Sequence, residues 1–315
     1  MPVDKEFLSS LLAGKRSVVA RAISMVENEH QNADSLLKAI FSSTGKGYRI
    51  GITGPPGAGK STITNKLAKL YRNENKRVGI IAVDPTSPFT GGALLGDRVR
   101  MTDVELDEGV FIRSMASRGS LGGLSKKAKE AADILDASGC DVILMETVGV
   151  GQSELDIVRA SDTTIVVLVP ESGDSIQAMK AGLMEIADFF VVNKADRAGA
   201  EQAVLSINMV LSFRPKQDGW KPSVLQTIAH EGKGIDLIAK KIDEHRNYLV
   251  QQNLLSQKRE DRVIERIKEL VGERLRIEFW NDERRKLLKS KISQIMTNKL
   301  TPYDVVDQLI ENFKE

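Results

Sequence analysis

The chain has 315 residues, 41% hydrophobic and 28% charged, which provides for a packed core and excludes wholesale disorder. Lys+Arg 45 against Asp+Glu 43 leaves a formal charge of +2, without the basic excess of a charge-driven nucleic-acid binder. A single cysteine, Cys140, allows no intramolecular disulfide and fits a reducing compartment, and His30, His230 and His245 are too scattered to join it as zinc ligands.

The first residues have neither an apolar signal core nor a transit-like composition, and no stretch approaches ~18 uninterrupted apolar residues. A cytoplasmic protein with no nucleic-acid or membrane partner is therefore expected. Residues 4 to 43 read as helix. Leu8, Leu11, Leu12, Val18, Val19, Ile23, Val26, Leu36, Leu37, Ile40 and Phe41 recur at three- and four-residue spacing. These helices either form a partner surface or cover a sheet built from the later residues. Gly45-Lys46-Gly47 breaks the run.

From Tyr48 short apolar runs alternate with amphipathic segments of helix length. The runs are Tyr48–Thr53, Val78–Val83, Val110–Arg113, Asp141–Glu146, Thr163–Val169, Phe189–Asn193 and Ser223–Thr227. Such runs separated by helices predict a mostly parallel sheet covered on both faces, with ligands at the carboxyl ends of the strands. Cys140, just before the fourth run, reads as inert filler. After about Gly234 the helical period returns. Val263, Ile264, Ile267, Leu270, Val271 and Leu275 form one stripe, with Leu287, Leu288, Ile292, Ile295 and Met296 after it. This stripe packs either on its own domain or in a dimer seam. Thr301-Pro302 predicts a cap and first-turn proline opening a last helix.

The chemistry begins after the first run. Gly54-Pro55-Pro56-Gly57-Ala58-Gly59-Lys60-Ser61-Thr62 matches GxxxxGK[ST], with a strand before it and a helix after it. Glycines allow a tight loop whose N–H groups point inward at a helix N-terminus, where they cradle phosphate. Lys60 brings a cation to the β- and γ-oxygens, and the Ser61 hydroxyl can ligate Mg²⁺. The fold class is thus α/β, a P-loop nucleotide domain with helical extensions. The expected division is an N-terminal helical segment over residues 1–45, the P-loop domain over 46–250 and a C-terminal helical dimerisation segment over 251–315.

Asn193-Lys194-Ala195-Asp196 ends a later strand with an NKxD sequence that favours guanine. The Asp196 carboxylate can accept from N1–H and the 2-amino group, Asn193 can serve the O6/N7 side, and the Lys194 stem can lie along the base. Ile228, Ala229 and His230 come after the next strand, where GTPases usually place a loop behind the base, though Gly232 and Gly234 fit a plain turn as well. Glu146 at a strand end, with Gly149 three residues on, has the spacing of a γ-phosphate sensor. Glu146 addresses Mg²⁺ or its water shell, or orients a water. Gln152 is a candidate water-positioning residue, two positions later than in the Ras-like pattern. Asp84 (in Asp84-Pro85) and Asp97 are either turn residues or magnesium-side carboxylates. Arg98, Arg113 and Arg118 could complement phosphate charge, though solvated or structural roles are simpler.

On these residues the chain resembles the MeaB/ArgK family, methylmalonyl-CoA mutase-associated GTPases of the SIMIBI class. The resemblance rests on GITGPPGAGKST (Gly51–Thr62), VDPTSPFTGGALLGDR (Val83–Arg98), METVGVGQSE (Met145–Glu154) and GDSIQAMKAGLMEIADFFVVNKAD (Gly173–Asp196). It implies a homodimeric GTPase with GTP/GDP and Mg²⁺ as ligands, acting as a chaperone for a coenzyme B12-dependent acyl-CoA mutase. GTP hydrolysis would gate adenosylcobalamin delivery and protect or reactivate the mutase. The family's Mg²⁺ and hydrolysis carboxylates would fall on Asp84, Asp97 and Glu146. An additional switch would fall on Gly173 to Lys180, with Asp174 and Lys180 its charged members. Pro170-Glu171-Ser172-Gly173 departs from the family's glycine-richer turn at this point. The rival readings are a metal-delivering GTPase, which wants Cys- or His-rich segments, and a small-molecule kinase or transport-associated ATPase, which NKAD disfavours. A slow intrinsic GTPase is expected, because no residue in this reading plainly supplies the transition-state charge in cis.

Overall fold

The computed structural model describes residues 3–85, 104, 106–117, 126–147, 159–172, 181–213 and 219–314. Asp97, Gly149, Gln152 and the segment Gly173 to Lys180, with Arg98 and Arg118, lie outside the described residues.

Three helices open the chain: α1 (Lys5–Leu12), α2 (Arg16–Glu27) and α3 (Ala33–Ile40). Asp4 caps α1 by accepting from the Phe7 N–H at 2.7 Å. The seven strands are β1 (Tyr48–Thr53), β2 (Val78–Pro85), β3 (Val110–Ser117), β4 (Val142–Thr147), β5 (Thr163–Leu168), β6 (Phe189–Asn193) and β7 (Val224–Thr227). Between and after them lie α4 (Lys60–Asn73), α5 (Lys126–Ala137), α6 (Ala181–Ile186), α7 (Ala200–Ser212) and α8 (Ile235–Gln251). The strands form one sheet in the order β3-β2-β4-β1-β5-β6-β7, with every pair parallel. Each apolar run of the sequence is a strand of this sheet.

Residue alternation divides the core. Ile50 and Ile52 of β1, Leu144 of β4, Val167 of β5 and Val191 of β6 pack with α4 and α8. The intervening residues Ile81, Val83, Ile143 and Met145 meet α5 and the three N-terminal helices. Val166, Leu168, Phe190 and Val192 meet α6 and α7. Both faces are thus covered, which is why the strands read as unbroken apolar runs. Of the two readings of the N-terminal helices, the cover is observed: Leu11, Val19, Ile23, Leu36 and Ile40 are fully buried in the same cluster as the sheet. Leu12 and Phe41 instead face solvent.

Polar groups fasten this cover to the sheet. The Asp136 carboxylate, at the end of α5, accepts from the backbone N–H groups of Gly45, Lys46 and Gly47 at 2.7, 3.1 and 2.8 Å. The Arg49 guanidinium of β1 reaches Asp133 at 2.6 Å and Asp136 at 3.6 Å. Burial disfavours the Arg49 charge, but Asp133, Asp136 and Asp162 outweigh it and hold its pKa above the ordinary value. Arg113 of β3 binds Ser24 and Glu27 of α2, a structural role.

The chain divides into two compact units, Met1–Leu255 and Ser256–Glu315. The second holds most of α9 (Leu254–Phe279), together with α10 (Asp282–Met296) and α11 (Pro302–Lys314). Pro302 occupies the first position of α11. Thr301 and Asp304 bond reciprocally there: the Thr301 N–H and hydroxyl donate to Asp304 Oδ2 at 2.8 and 2.7 Å, and the Asp304 N–H donates to Thr301 Oγ1 at 3.2 Å. Among the described residues no helix is long and apolar enough to cross a membrane.

Candidate functional site

The loop between β1 and α4 has the backbone that its glycines require. Gly54, Gly57 and Gly59 have φ of 137°, 75° and 92°, in the region that residues with a Cβ avoid. A Cβ on Gly54 would also stand 2.0 Å from the Val167 carbonyl oxygen of β5. Gly59 caps α4 without a side-chain hydrogen bond, and a helix N-terminus is a position suited to an anion. The Lys60 Nζ folds back over the loop and donates to the carbonyls of Gly54 and Pro55 at 2.8 and 3.0 Å. Its buried ammonium is therefore satisfied within the loop, close to where phosphate oxygens would compete for it.

Glu146 lies one position before the end of β4 and is 5% exposed. Ser61 Oγ donates to its Oε1 at 2.6 Å, and Thr64 Oγ1 donates to its Oε2 at 3.0 Å. With its proton committed to the carboxylate, the Ser61 oxygen keeps lone pairs for a cation. A hydroxyl with a carboxylate behind it is a hard-oxygen donor set suited to Mg²⁺ that shares its shell with substrate phosphates. The β2–β4 register sets Ala82 beside Glu146, which puts Asp84 two residues further toward the carboxyl edge on the adjacent strand. Beyond the carboxylate, Thr147 Oγ1 donates to Thr53 Oγ1 at 2.9 Å and links the ends of β4 and β1.

The NKxD sequence meets the P-loop through Asn193. Its Nδ2 donates to the Ala58 carbonyl at 2.8 Å. Its Oδ1 accepts from Thr227 Oγ1 at 3.1 Å and from the Ala229 N–H at 3.0 Å. The Asn193 amide thus pins the P-loop to the loop after β7, which gives it a positioning role beyond the base contact expected from sequence. Gly59 must be glycine here also, since a Cβ would lie 2.2 Å from Asn193 Nδ2. The chain then turns out of β6 through Lys194 at φ 59°, and the Ala195 N–H donates to the Thr227 carbonyl at 3.0 Å. Asp196 is exposed. Ile228 and Ala229 line the adjoining loop, which an Ile228–Lys233 bridge closes, while the His230 side chain points to solvent beside Glu231.

The structure therefore brings Gly54 to Thr62, Glu146, Asn193, Lys194, Asp196 and the 228–230 loop to one edge of the sheet. Sequence reasoning missed Thr64, Thr227 and the Thr53–Thr147 pair. Thr64 alone had a local signal, three residues after Ser61 and so on the same face of α4.

The family description Methylmalonyl Co-A mutase-associated GTPase MeaB matches residues 19–284. The chain belongs to the MeaB family of GTPases. A candidate GTPase of Pyrococcus horikoshii is 48% identical over 315 residues, covering 98% of this chain and 98% of that protein. The GTPase ArgK of Escherichia coli is 37% identical, covering 97% of this chain and 95% of its own. The crystal structure of an LAO/AO transport system kinase superposes with a TM-score of 0.77 at 31% identity, over 100% of both chains. MeaB membership makes GTP hydrolysis the enzyme class of this chain. It also accords with the P-loop, Glu146 and NKAD meeting at one edge.

Proposed function

We infer that this MeaB-family chain is a Mg²⁺-dependent GTPase that serves a coenzyme B12-dependent acyl-CoA mutase in the cytoplasm as a chaperone, gating adenosylcobalamin delivery and protecting or reactivating the mutase. The convergence of the P-loop, the Ser61–Glu146 pair and the Asn193 bridge carries the chemical half of this reading. The mutase half is supported by the family description.

In this reading Asp196 accepts from the guanine N1–H and 2-amino group, and the Lys194 stem lies along the base. The Lys60 ammonium exchanges two loop carbonyls for the β- and γ-phosphate oxygens, so its positive charge follows the charge that develops on the transferred group. Ser61, Glu146, Asp84 and Asp97 would hold Mg²⁺, which neutralises phosphate charge when bound. Gly149 and Gln152 would address the γ-phosphate and the attacking water, and Lys180 would belong to the switch facing the mutase. The reaction is GTP + H₂O to GDP and phosphate. The exposed stripe on α9 would seat a second copy of the chain.

The test is a GTPase assay on the purified protein, with and without methylmalonyl-CoA mutase and with ATP as control. GTP-selective turnover that rises on adding the mutase is expected. Lys60→Ala should lower turnover by at least ~100-fold and Asp196→Asn should weaken GTP binding by at least ~10-fold. Wild-type activity in both variants would overturn the site assignment. A rate indifferent to the mutase would remove the chaperone reading, and a preference for ATP would remove guanine.

A further inference from the structure

Glu146 is a buried carboxylate that must keep one orientation to be of use to a cation beside Ser61. Two of its hydrogen bonds come from hydroxyls on one helix, one turn apart: Ser61 on Oε1 at 2.6 Å and Thr64 on Oε2 at 3.0 Å. Residues three apart on a helix share a face, so α4 presents both hydroxyls to the same carboxylate. Thr64 is fully buried. Its hydroxyl also lies 2.9 Å from the Lys60 carbonyl, the usual partner of a threonine within a helix. Its single proton is therefore shared between that carbonyl and Glu146.

We propose that Thr64 is a positioning residue for the metal side of the site: by fixing Glu146 Oε2 it orients the carboxylate so that Oε1 holds the Ser61 proton and leaves the Ser61 lone pairs available to Mg²⁺. This rests on the reading of Ser61 and Glu146 as the Mg²⁺ side of the site. Partners that orient metal-side ligands change metal affinity by about 10- to 100-fold when removed. Thr64 is fully buried with its hydroxyl on the Lys60 carbonyl and Glu146, so affinity for GDP without Mg²⁺ should not depend on it.

The experiment titrates Mg²⁺ into the full-length protein with a fluorescent GDP derivative and reads the Mg²⁺ concentration that half-maximally tightens binding. Thr64→Val, close in shape but without the hydroxyl, should raise that concentration by about 10-fold. Its Mg²⁺-free GDP affinity should stay within about twofold of wild type, and Thr64→Ser should restore the Mg²⁺ requirement. An unchanged Mg²⁺ requirement in Thr64→Val overturns the proposal, as does an equal loss of GDP affinity with and without Mg²⁺. If circular dichroism shows Thr64→Val unfolded, the Thr64→Ser and Thr64→Ala pair decides. A requirement that follows the hydroxyl supports the proposal, and identical behaviour of the two overturns it. Wild-type GDP affinity indifferent to Mg²⁺ would remove the metal reading itself, and Thr64's role with it.

Discussion

Among single residues, the P-loop glycines differ in what holds them as glycine. Gly57 has φ 75° with nothing within 4 Å of an added Cβ, so alanine there meets only backbone strain, about 1–2 kcal/mol. Gly54 has φ 137°, and its Cβ would lie 2.0 Å from a backbone oxygen of a central strand that cannot yield. In the nucleotide-free protein Gly57→Ala should lower the melting temperature by only a few degrees, and Gly54→Ala by at least about twice as much. Equal shifts in scanning calorimetry would show that the loop, not β5, absorbs the clash. Cys140 gives a pH prediction. Burial pushes its thiol up to about 11, against about 8.5 in an unfolded chain. A pKa raised on folding means stability is fully present below the unfolded value and declines as pH rises toward the folded one. Between about pH 8.5 and 10 the wild type should lose urea resistance more steeply than Cys140→Ser, by up to about 1.4 kcal/mol per pH unit. Burial raises Tyr48 and Tyr71 as well, so the comparison belongs below pH 10, before their unfolded forms ionise. Parallel slopes would show that the thiol ionises as easily in the native protein as in the unfolded chain.

At the level of elements, the joint between the N-terminal cover and the sheet depends on the end of α5. Asp136 gathers the N–H groups of Gly45, Lys46 and Gly47 and faces Arg49, so it satisfies the turn that leads into β1. Removing it leaves the buried Gly47 donor, two part-buried ones and a less compensated guanidinium. Asp136→Ala should cost about 3–5 kcal/mol by denaturant unfolding, and Asp136→Asn less, since its amide oxygen still accepts. A loss below about 1 kcal/mol would show that water replaces the carboxylate. This joint was invisible in the sequence, whereas the strands were plain. Ile50, Val166 and Val191 lie in strands buried on both faces, and that burial writes itself as continuous apolar runs. The P-loop was legible because its function is local, a few residues of backbone curling at one helix end. Glu146 with Thr64, and Asn193 with Ala58, join residues 82 and 135 positions apart, and no periodicity encodes such a pairing. The N-terminal helices fell between these cases: their spacing marked an apolar face without saying which surface it would cover.

For the whole molecule, the question is what the second unit does with its apolar surface. Neither α9 nor α10 has a buried residue, although α9 carries Val263, Ile267, Val271 and Leu275 at four-residue spacing. These four side chains are between 46% and 55% exposed. A 60-residue unit has little core to spare, and a contiguous apolar stripe on its surface is the usual mark of an interface. The unit does close on itself where Arg284 of α10 lies over the rings of Phe279 and Phe313 at 5.5 and 5.0 Å. That contact leaves the stripe on α9 outside it. If a second copy covers the stripe, charge placed there should break the assembly without unfolding the nucleotide unit. Light scattering should report a dimer for the wild type and a monomer for Ile267→Asp combined with Val271→Asp. The GDP affinity of the variant should stay within about twofold of wild type, since its substitutions lie outside the unit that holds the P-loop. A wild-type monomer, or a variant that still dimerises, would mean that the stripe seats something other than a second copy.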